Sequence, residues 1–248
     1  MKDVVIASAC RTAIGGFGGT LRSLNGATLA SIVMKEAVSR AGIDPVVIDD
    51  VRFGCCLEHH DTLNTARVGA LMAGIPDTVT AVTINRVCIS GMEAVISGAA
   101  MIQAEMADVI LAGGVEHMSG TPYTVPAARW GARLQDQAFV DAMIHALHCG
   151  SHILPLDENA PLDTTSAPAS HFLGQPYIMG HTAEFIAQKL GITREEMDEV
   201  ALRSQNNAER ATHDGSFADE IVPVPVPRRK QDPLIFSKDE HFRPGLTL

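Results

Sequence analysis

Short apolar runs alternate with helical patterns through the first 112 residues, and this alternation restricts the fold more than any other feature of the chain. Strands that are separated by helices pair in parallel through right-handed crossovers, and helices then cover a largely buried sheet. The sequence therefore predicts the α/β fold class. The predicted strands are Val4–Ser8, Val51–Cys55, Val79–Ile84 and Asp108–Ala112, and the predicted helices are Thr28–Ala41, Asn64–Ala73 and Gly91–Gln103.

The regular alternation ends after Gly113 and Gly114. Residues 115–178 show no clean period apart from a weak helical pattern near Gln135–Leu147, and an irregular stretch of this length is typical of a lid or binding loop. Regular structure is predicted again over Gly180–Leu190. A capping box at Thr193–Glu196 opens a helix that runs to about Thr212, and a proline-punctuated strand follows over Ile221–Val226.

Composition excludes several classes of protein. With 46% hydrophobic and 19% charged residues the chain is not intrinsically disordered, and no apolar run reaches the 18 residues of a membrane span. The first predicted strand begins at Val4, which leaves no room for a signal peptide. The net charge of −10 argues against a nucleic-acid surface. We therefore expect a cytoplasmic protein that binds neither nucleic acid nor a membrane.

The five cysteines form neither a disulfide framework nor a CxxC pair, which also favours a reducing compartment. Cys55 and Cys56 lie close to Glu58, His59 and His60, which suggests a metal site. Adjacent cysteines do not easily share a tetrahedral metal, so a strand end followed by a polar loop is the favoured interpretation and no metal is expected.

Cys88 lies where the third predicted strand passes into the third predicted helix. Ser90 is predicted to cap this helix, with Glu93 completing a capping box. A thiol at a helix N-terminus is favoured as the thiolate, and the carboxyl edge of a parallel sheet is where open α/β folds bind ligands. Position alone leaves two interpretations open, a nucleophile or a small buried hydrophobe.

Several segments, in order along nearly the whole chain, resemble the thiolases, acyl-CoA acyltransferases that make or cleave 3-ketoacyl thioesters. Asn85–Val95 resembles the nucleophile segment of that family. The other similar segments are Ser8–Gly19, Ala112–Ser119, Met179–Glu184, Ser204–Glu209 and Phe217–Pro223. The resemblance implies a core domain over residues 1–118 and a loop domain that binds coenzyme A over residues 119–248.

The resemblance also implies a reaction and its residues. Cys88 would hold the acyl group as a thioester, which suits a thiolate because it is both nucleophile and leaving group. Its backbone N–H would donate to an oxyanion hole. Coenzyme A thioesters would be substrates, with no further cofactor, and contacts to them are implied for Arg228, Arg229, Met179 and Ile178. For Arg228 to Lys230 a solvated basic cluster is an equal alternative. The turn at Gly15–Gly19 lacks the spaced fingerprint of a phosphate cradle.

Two departures from the family pattern bear on function. Ile89 follows Cys88 where many thiolases have glycine, so we expect a narrower acyl pocket. The second departure is that the family's later histidine, cysteine and asparagine motifs do not occur in these 248 residues. His117 and His181 lie in motif segments, where we expect packing or loop roles.

The missing motifs lead to two hypotheses. In one, a second subunit supplies the C-terminal half with the catalytic histidine and second cysteine, in a hetero-oligomer such as α2β2. In the other, the chain is a non-catalytic half-thiolase that binds acyl-CoA or scaffolds a complex. A related condensing enzyme of the ketoacyl-synthase type is disfavoured by the loop-domain segments.

Overall fold

The computed structural model describes residues 2–58, 60–148, 150, 153 and 178–248. The chain divides into two compact units, one of residues 1–121 and 204–247 and the other of residues 122–203 and 248. Residues 204–247 therefore group with the first unit, whereas the sequence analysis assigned all of 119–248 to a loop domain. That assignment, which concerns coenzyme A binding, stays a prediction.

The first unit is built on a parallel sheet in the order β3-β2-β4, which confirms the predicted α/β class. The helices between these strands end close to the predicted positions: Asn25 and Asn64 cap α1 and α2, and Gly42 ends α1 in the left-handed conformation. The elements of this region are β1 Arg11–Thr12, α1 Gly26–Ala41, β2 Asp50–Gly54, α2 Thr65–Met72, β3 Thr80–Ile84, α3 Ser90–Gln103 and β4 Ile110–Gly114.

Strand β2 lies at the centre of this sheet, and its residues alternate between the two faces. Val51 and Phe53 are buried with Met34 of α1 and Ala66 of α2, so these helices cover one face. On the other face, the Arg52 guanidinium hydrogen-bonds Ser97 of α3 at 2.9 Å. The sheet is therefore a middle layer between α1 and α2 on one side and α3 on the other.

Helix α3 packs so close to the sheet that glycine is required at two contact positions, one in β2 and one in α3. A Cβ atom on Gly54 would lie 2.4 Å from the Ser90 carbonyl carbon, and one on Gly98 would lie 2.9 Å from the side chain of Ile110. Nothing larger than hydrogen fits at either point, so these glycines set the position of the α3 N-terminus.

The predicted buried strand Val4–Ser8 is wrong. Residues 4–7 are exposed, Ser8 is half-buried, and no backbone–backbone hydrogen bond joins residues 4–8 to any other described residue. The first paired residues are Arg11 and Thr12 of β1, which lie parallel to Ile221 and Val222. The reason is physical: an apolar run becomes a buried strand only where a neighbouring strand accepts its backbone groups.

Arg11 connects the N-terminal segment to residues in the C-terminal part of the chain. Its guanidinium binds both carboxylate oxygens of Asp239, at 2.8 and 3.1 Å, and lies over the Phe217 ring at 5.0 Å. The next carboxylate, Glu240, accepts N–H groups of Gly16 and Thr20 in the glycine turn. The N–H groups of the glycine turn are thus occupied by a carboxylate of the chain itself. This agrees with the interpretation that the turn is not a phosphate-binding loop.

The remaining strands of the first unit lie between residues 221 and 236. The predicted strand Ile221–Val226 is interrupted by Pro223 into β7 and β8, and β8 forms an antiparallel hairpin with β9 that the sequence analysis did not predict. These strands are β7 Ile221–Val222, β8 Val224–Arg228 and β9 Gln231–Phe236.

The second unit contains the described part of the irregular region. The capping box is confirmed, since the Glu196 N–H donates to Thr193 Oγ1 at 3.2 Å and the Thr193 N–H donates to the Glu196 carboxylate at 2.8 Å. The elements are β5 Tyr123–Thr124, β6 Val140–Asp141, α4 Ala142–Leu147, α5 Met179–Leu190 and α6 Arg194–His213, the last of which crosses into the first unit. Within the described residues, no helix combines the length and apolarity needed to cross a membrane.

The close contact between Gly54 of β2 and the N-terminus of α3 predicts that one added methyl group at this glycine destabilises the fold. We expect Gly54→Ala to lower the free energy of unfolding by about 1–3 kcal/mol, because backbone atoms of α3 must move. Gly180→Ala is the control, since its new Cβ meets nothing within 4 Å and alanine favours helix by up to about 1 kcal/mol. Urea denaturation measures both, and equal midpoints for Gly54→Ala and the wild type would contradict the close approach.

Candidate active site

Cys88 lies on a short elbow between the end of β3 at Ile84 and the start of α3 at Ser90, and its side chain is exposed. The residue therefore precedes the first turn of a helix, as predicted. The positive end of the α3 helix dipole lies at this position. The carboxyl ends of β2, β3 and β4 meet at the same edge of the sheet.

The predicted capping box of α3 is wrong. The N-cap residue is Ile89, which supplies no side-chain acceptor, and Ser90 is already the first helical residue. The Ser90 hydroxyl instead accepts the Arg86 N–H at 2.9 Å and donates to the Val87 carbonyl. The Glu93 carboxylate pairs with the Arg86 guanidinium at 3.2 Å. This ion pair places a cation beside the acidic residue of the first turn of α3.

Val87, directly before Cys88, adopts a left-handed backbone conformation with φ of 50°. For a β-branched residue this conformation is a genuine outlier, and such strain persists only where the surroundings enforce it. Here the Val87 N–H donates to Asn85 Oδ1 at 2.9 Å, and its carbonyl accepts from Ser90 and from a neighbouring thiol. No pattern in the sequence marks this residue, because valine does not signal a positive φ.

The neighbouring thiol belongs to Cys56, in the loop that follows β2. Its Sγ donates to the Val87 carbonyl at 2.6 Å and lies 3.4 Å from Ser90 Oγ. The Asn85 amide in turn donates to the Cys56 carbonyl at 3.1 Å. Burial raises the pKa of the Cys56 thiol, which favours the protonated donor that this contact requires. Cys56 therefore supports the elbow.

Glu116 holds that loop in place from the segment after β4. Its carboxylate accepts the N–H groups of Cys56 at 3.0 Å and Leu57 at 2.8 Å, and it lies 3.7 Å from the Cys55 thiol. Burial, and then the charge of Glu116, raise the pKa of Cys55 to about 12. The roles of Cys56 and Glu116 were not predicted from the sequence. Both residues follow shortly after parallel strands, and the carboxyl ends of parallel strands meet at the same edge of a sheet. This placement was the sequence signal that could have predicted that they lie near Cys88.

The suggested metal site at Cys55 to His60 includes one residue that the structure does not describe. No group of three or more histidine, cysteine, aspartate or glutamate side chains among the described residues is arranged to hold a metal ion. His59 lies outside the described residues.

The residues assigned to coenzyme A lie in both units. Arg228 and Arg229 are exposed at the turn between β8 and β9, and the Arg228 guanidinium donates to the Asp232 carbonyl at 2.9 Å. Ile178 and Met179 begin α5 in the second unit, and both side chains are exposed. No hydrogen bond among the described residues joins either pair to Cys88, so their roles stay predictions.

Comparison with known proteins gives one consistent family. Residues 4–160 and 155–248 match the family described as Thiolase, N-terminal domain. The chain is 42% identical over its whole length to an acetyl-CoA acetyltransferase of Cupriavidus necator, and 43% identical over 98% of its length to one of Syntrophomonas wolfei. It spans 58% and 56% of those two proteins.

A solved structure agrees with these matches. The crystal structure of the Bacillus anthracis acetyl-CoA acetyltransferase has a TM-score of 0.84 and 42% identity to this chain. The match covers 98% of this chain and 56% of that protein. The α/β fold described above is thus the fold of the N-terminal part of these acetyltransferases.

The three thiols around the elbow are expected to differ in reactivity. Iodoacetamide at neutral pH should alkylate exposed Cys88 readily and leave Cys55 unmodified. Because the thiolate is the nucleophile and the Cys55 pKa is about 12, its reactive fraction falls about tenfold for each pH unit below that value. Peptide mass mapping over time measures both rates. Cys88→Ser, the control, should remove only the fast modification, and equal rates for Cys55 and Cys88 would contradict the site.

Proposed function

The chain belongs to the thiolase family, and from that premise we propose that it is the nucleophile-bearing subunit of an acetyl-CoA acyltransferase, with Cys88 as the acyl acceptor. The observation that carries the proposal is the strained elbow. An exposed thiol follows a left-handed valine and precedes a helix N-terminus, and three neighbouring side chains hold it there. Strain that is maintained beside one reactive group is typical of a catalytic position.

The proposed chemistry uses this thiol twice. The Cys88 thiolate attacks the carbonyl carbon of an acyl-CoA, a new carbon–sulfur bond forms, and coenzyme A leaves as a thiolate. The α-carbanion of a second acyl-CoA then attacks the enzyme-bound thioester, so that a carbon–carbon bond forms and the Cys88 sulfur leaves. The reverse sequence cleaves a 3-ketoacyl-CoA. The Cys88 backbone N–H is the proposed donor to the oxyanion in these steps.

The proposed contacts to coenzyme A combine charge with apolar surface. Arg229 and Arg228 would bind the phosphates of the nucleotide end, and Met179 and Ile178 would contact the pantetheine arm. Arg229 is the stronger candidate of the two cations, because the Arg228 guanidinium is already used to hold the hairpin. A basic turn on a chain of net charge −10 gives a local site for a polyanion.

Removal of the α-proton needs a positioned base, and two histidines of the motif segments make local hydrogen bonds instead. The His117 ring lies 3.2 Å from the Leu21 carbonyl, and the His181 ring accepts the Ile178 N–H at 3.2 Å. We therefore infer that the base comes from a second subunit that corresponds to the part of the relatives that this chain does not span. The assembly would be a cytoplasmic hetero-oligomer such as α2β2.

The decisive experiment purifies a tagged copy of this chain from the cells that make it. Native mass spectrometry then identifies the polypeptides that accompany it, and a thiolysis assay follows acetoacetyl-CoA. We expect cleavage, and we expect Cys88→Ala to abolish it because no acyl acceptor remains. Intact mass should show an acetyl group on the wild-type chain, as well as on the Cys10→Ser control.

Two results would contradict the proposal. Activity that survives Cys88→Ala would exclude this residue as the nucleophile. A complex that binds acetyl-CoA without acylation or cleavage would favour the other hypothesis, a half-thiolase that binds acyl-CoA or scaffolds a complex.

The basic turn is tested separately. Arg229→Ala should raise the KM for acetoacetyl-CoA about fivefold with little change in kcat, because a charge-assisted contact to a remote phosphate is lost in ground and transition states alike. Lys35→Ala, which removes one exposed positive charge from α1, is the control. Equal KM values for the two variants would indicate that the turn is a solvated basic cluster.

A further inference from the structure

The carbonyl group of Val87, in the elbow, accepts hydrogen bonds from three donors. Two come from Ser90, whose N–H donates at 3.0 Å and whose hydroxyl also donates. The third is the Cys56 thiol, which donates at 2.6 Å and lies 31 residues earlier in the chain. The Cys56 contact is therefore a tertiary one, made by the loop after β2.

This carbonyl shares one peptide group with the Cys88 N–H. A peptide that does not precede proline is planar and trans, so its C=O and N–H bonds point in opposite directions. A contact that fixes the direction of the Val87 carbonyl thus fixes the direction of the Cys88 N–H as well. Among the described residues, no hydrogen bond takes that N–H.

Donors on a carbonyl also change the strength of the N–H in the same peptide. Hydrogen bonds that are linked in a chain polarise one another, and each is strengthened by about 10–30%. The Cys56 contact therefore makes the Cys88 N–H a better donor without touching a substrate. Burial raises the pKa of the Cys56 thiol, so this group stays the neutral S–H donor that the effect requires.

The backbone of Cys56 is itself held on both sides. Its N–H donates to the Glu116 carboxylate at 3.0 Å, and its carbonyl accepts from the Asn85 amide at 3.1 Å. The thiol is thus presented to Val87 by a loop residue whose own N–H and C=O are bound. The left-handed conformation of Val87 needs such enforcement from its surroundings.

We propose that Cys56 is a positioning residue for acyl transfer, which acts through the Val87–Cys88 peptide to aim and strengthen the Cys88 N–H as the oxyanion donor. The proposal rests on the proposed function, in which that N–H binds the oxyanion. An oxyanion forms only when a nucleophile adds to a carbonyl group. Cys56 should therefore affect acyl transfer to Cys88 and leave other reactions of the same sulfur unchanged.

Two reagents separate these effects on the whole chain, without a second subunit. The Cys88 thiolate attacks the carbonyl carbon of p-nitrophenyl acetate through a tetrahedral oxyanion, which expels p-nitrophenolate and leaves an acetyl thioester. The same thiolate displaces iodide from iodoacetamide in one step that forms no oxyanion. Peptide mass mapping gives both rates at Cys88. Their ratio measures the oxyanion contact separately from the exposure and ionisation of the thiol.

We expect Cys56→Ala to lower the ratio of acetylation to alkylation about tenfold, because a whole oxyanion donor contributes about 100-fold or more and this one is only weakened. Cys56→Ser keeps a donor and should stay within about threefold of the wild type. The control is Cys10→Ala, which removes a similar contact outside the elbow, from the Cys10 thiol to the Val33 carbonyl at 3.4 Å. Its ratio should equal that of the wild type.

Three results overturn the proposal. One is a ratio that Cys56→Ala leaves unchanged, even where both rates fall together, since Cys56 would then only support the fold of the elbow. Another is a ratio as low in Cys56→Ser as in Cys56→Ala, since loss of the donor would not be the cause. The third is a wild-type chain that p-nitrophenyl acetate does not acetylate at Cys88.

If Cys56→Ala does not fold, Glu116→Gln decides. A neutral amide holds the Cys56 N–H less tightly than a carboxylate does, so the ratio should fall at least about threefold, and an unchanged ratio overturns the proposal. A ratio that depends on Cys56, together with no thiolysis by the purified complex, counts only against the proposed function.

Discussion

The close approach of α3 to the parallel sheet is the constraint on which the rest of the first unit depends. Gly54 admits the backbone of Ser90, and Gly98 admits the side chain of Ile110, where a single Cβ would collide. This contact places the N-terminus of α3 against the carboxyl end of β2. The elbow that carries Cys88 has only five residues, 85–89, in which to join β3 to that helix, so its backbone is confined.

The confined backbone of this elbow explains the hydrogen bonds that surround it. Val87 takes a conformation that valine avoids, and hydrogen bonds from the loop after β2 hold it there. Glu116, after β4, holds that loop in turn. Segments after three parallel strands thus support one exposed thiol. Burial raises the pKa of the two nearby cysteines, so these favour the neutral form and leave Cys88 as the accessible sulfur.

The same sheet has β2 at its centre, and β3 and β4 are its two edges among the described strands. Beyond β4 lies a cavity of about 900 Å³ that is also lined by residues 4–10. The chain spans only about 58% of the length of the acetyltransferases that it matches.

The sequence by itself determined the fold class, the helices α1 to α3, the strands β2 to β4 and the placement of Cys88 at a strand–helix junction. These follow from local periodicity, from helix-ending glycines such as Gly42 and Gly74, and from motif order. Only the tertiary structure decided the strain at Val87, the support from Cys56 and Glu116, and the unpaired state of Val4–Ser8. The physical reason is the same in each case: a backbone torsion, a hydrogen bond or a strand pairing depends on a partner that is distant in sequence, and local pattern contains no information about that partner.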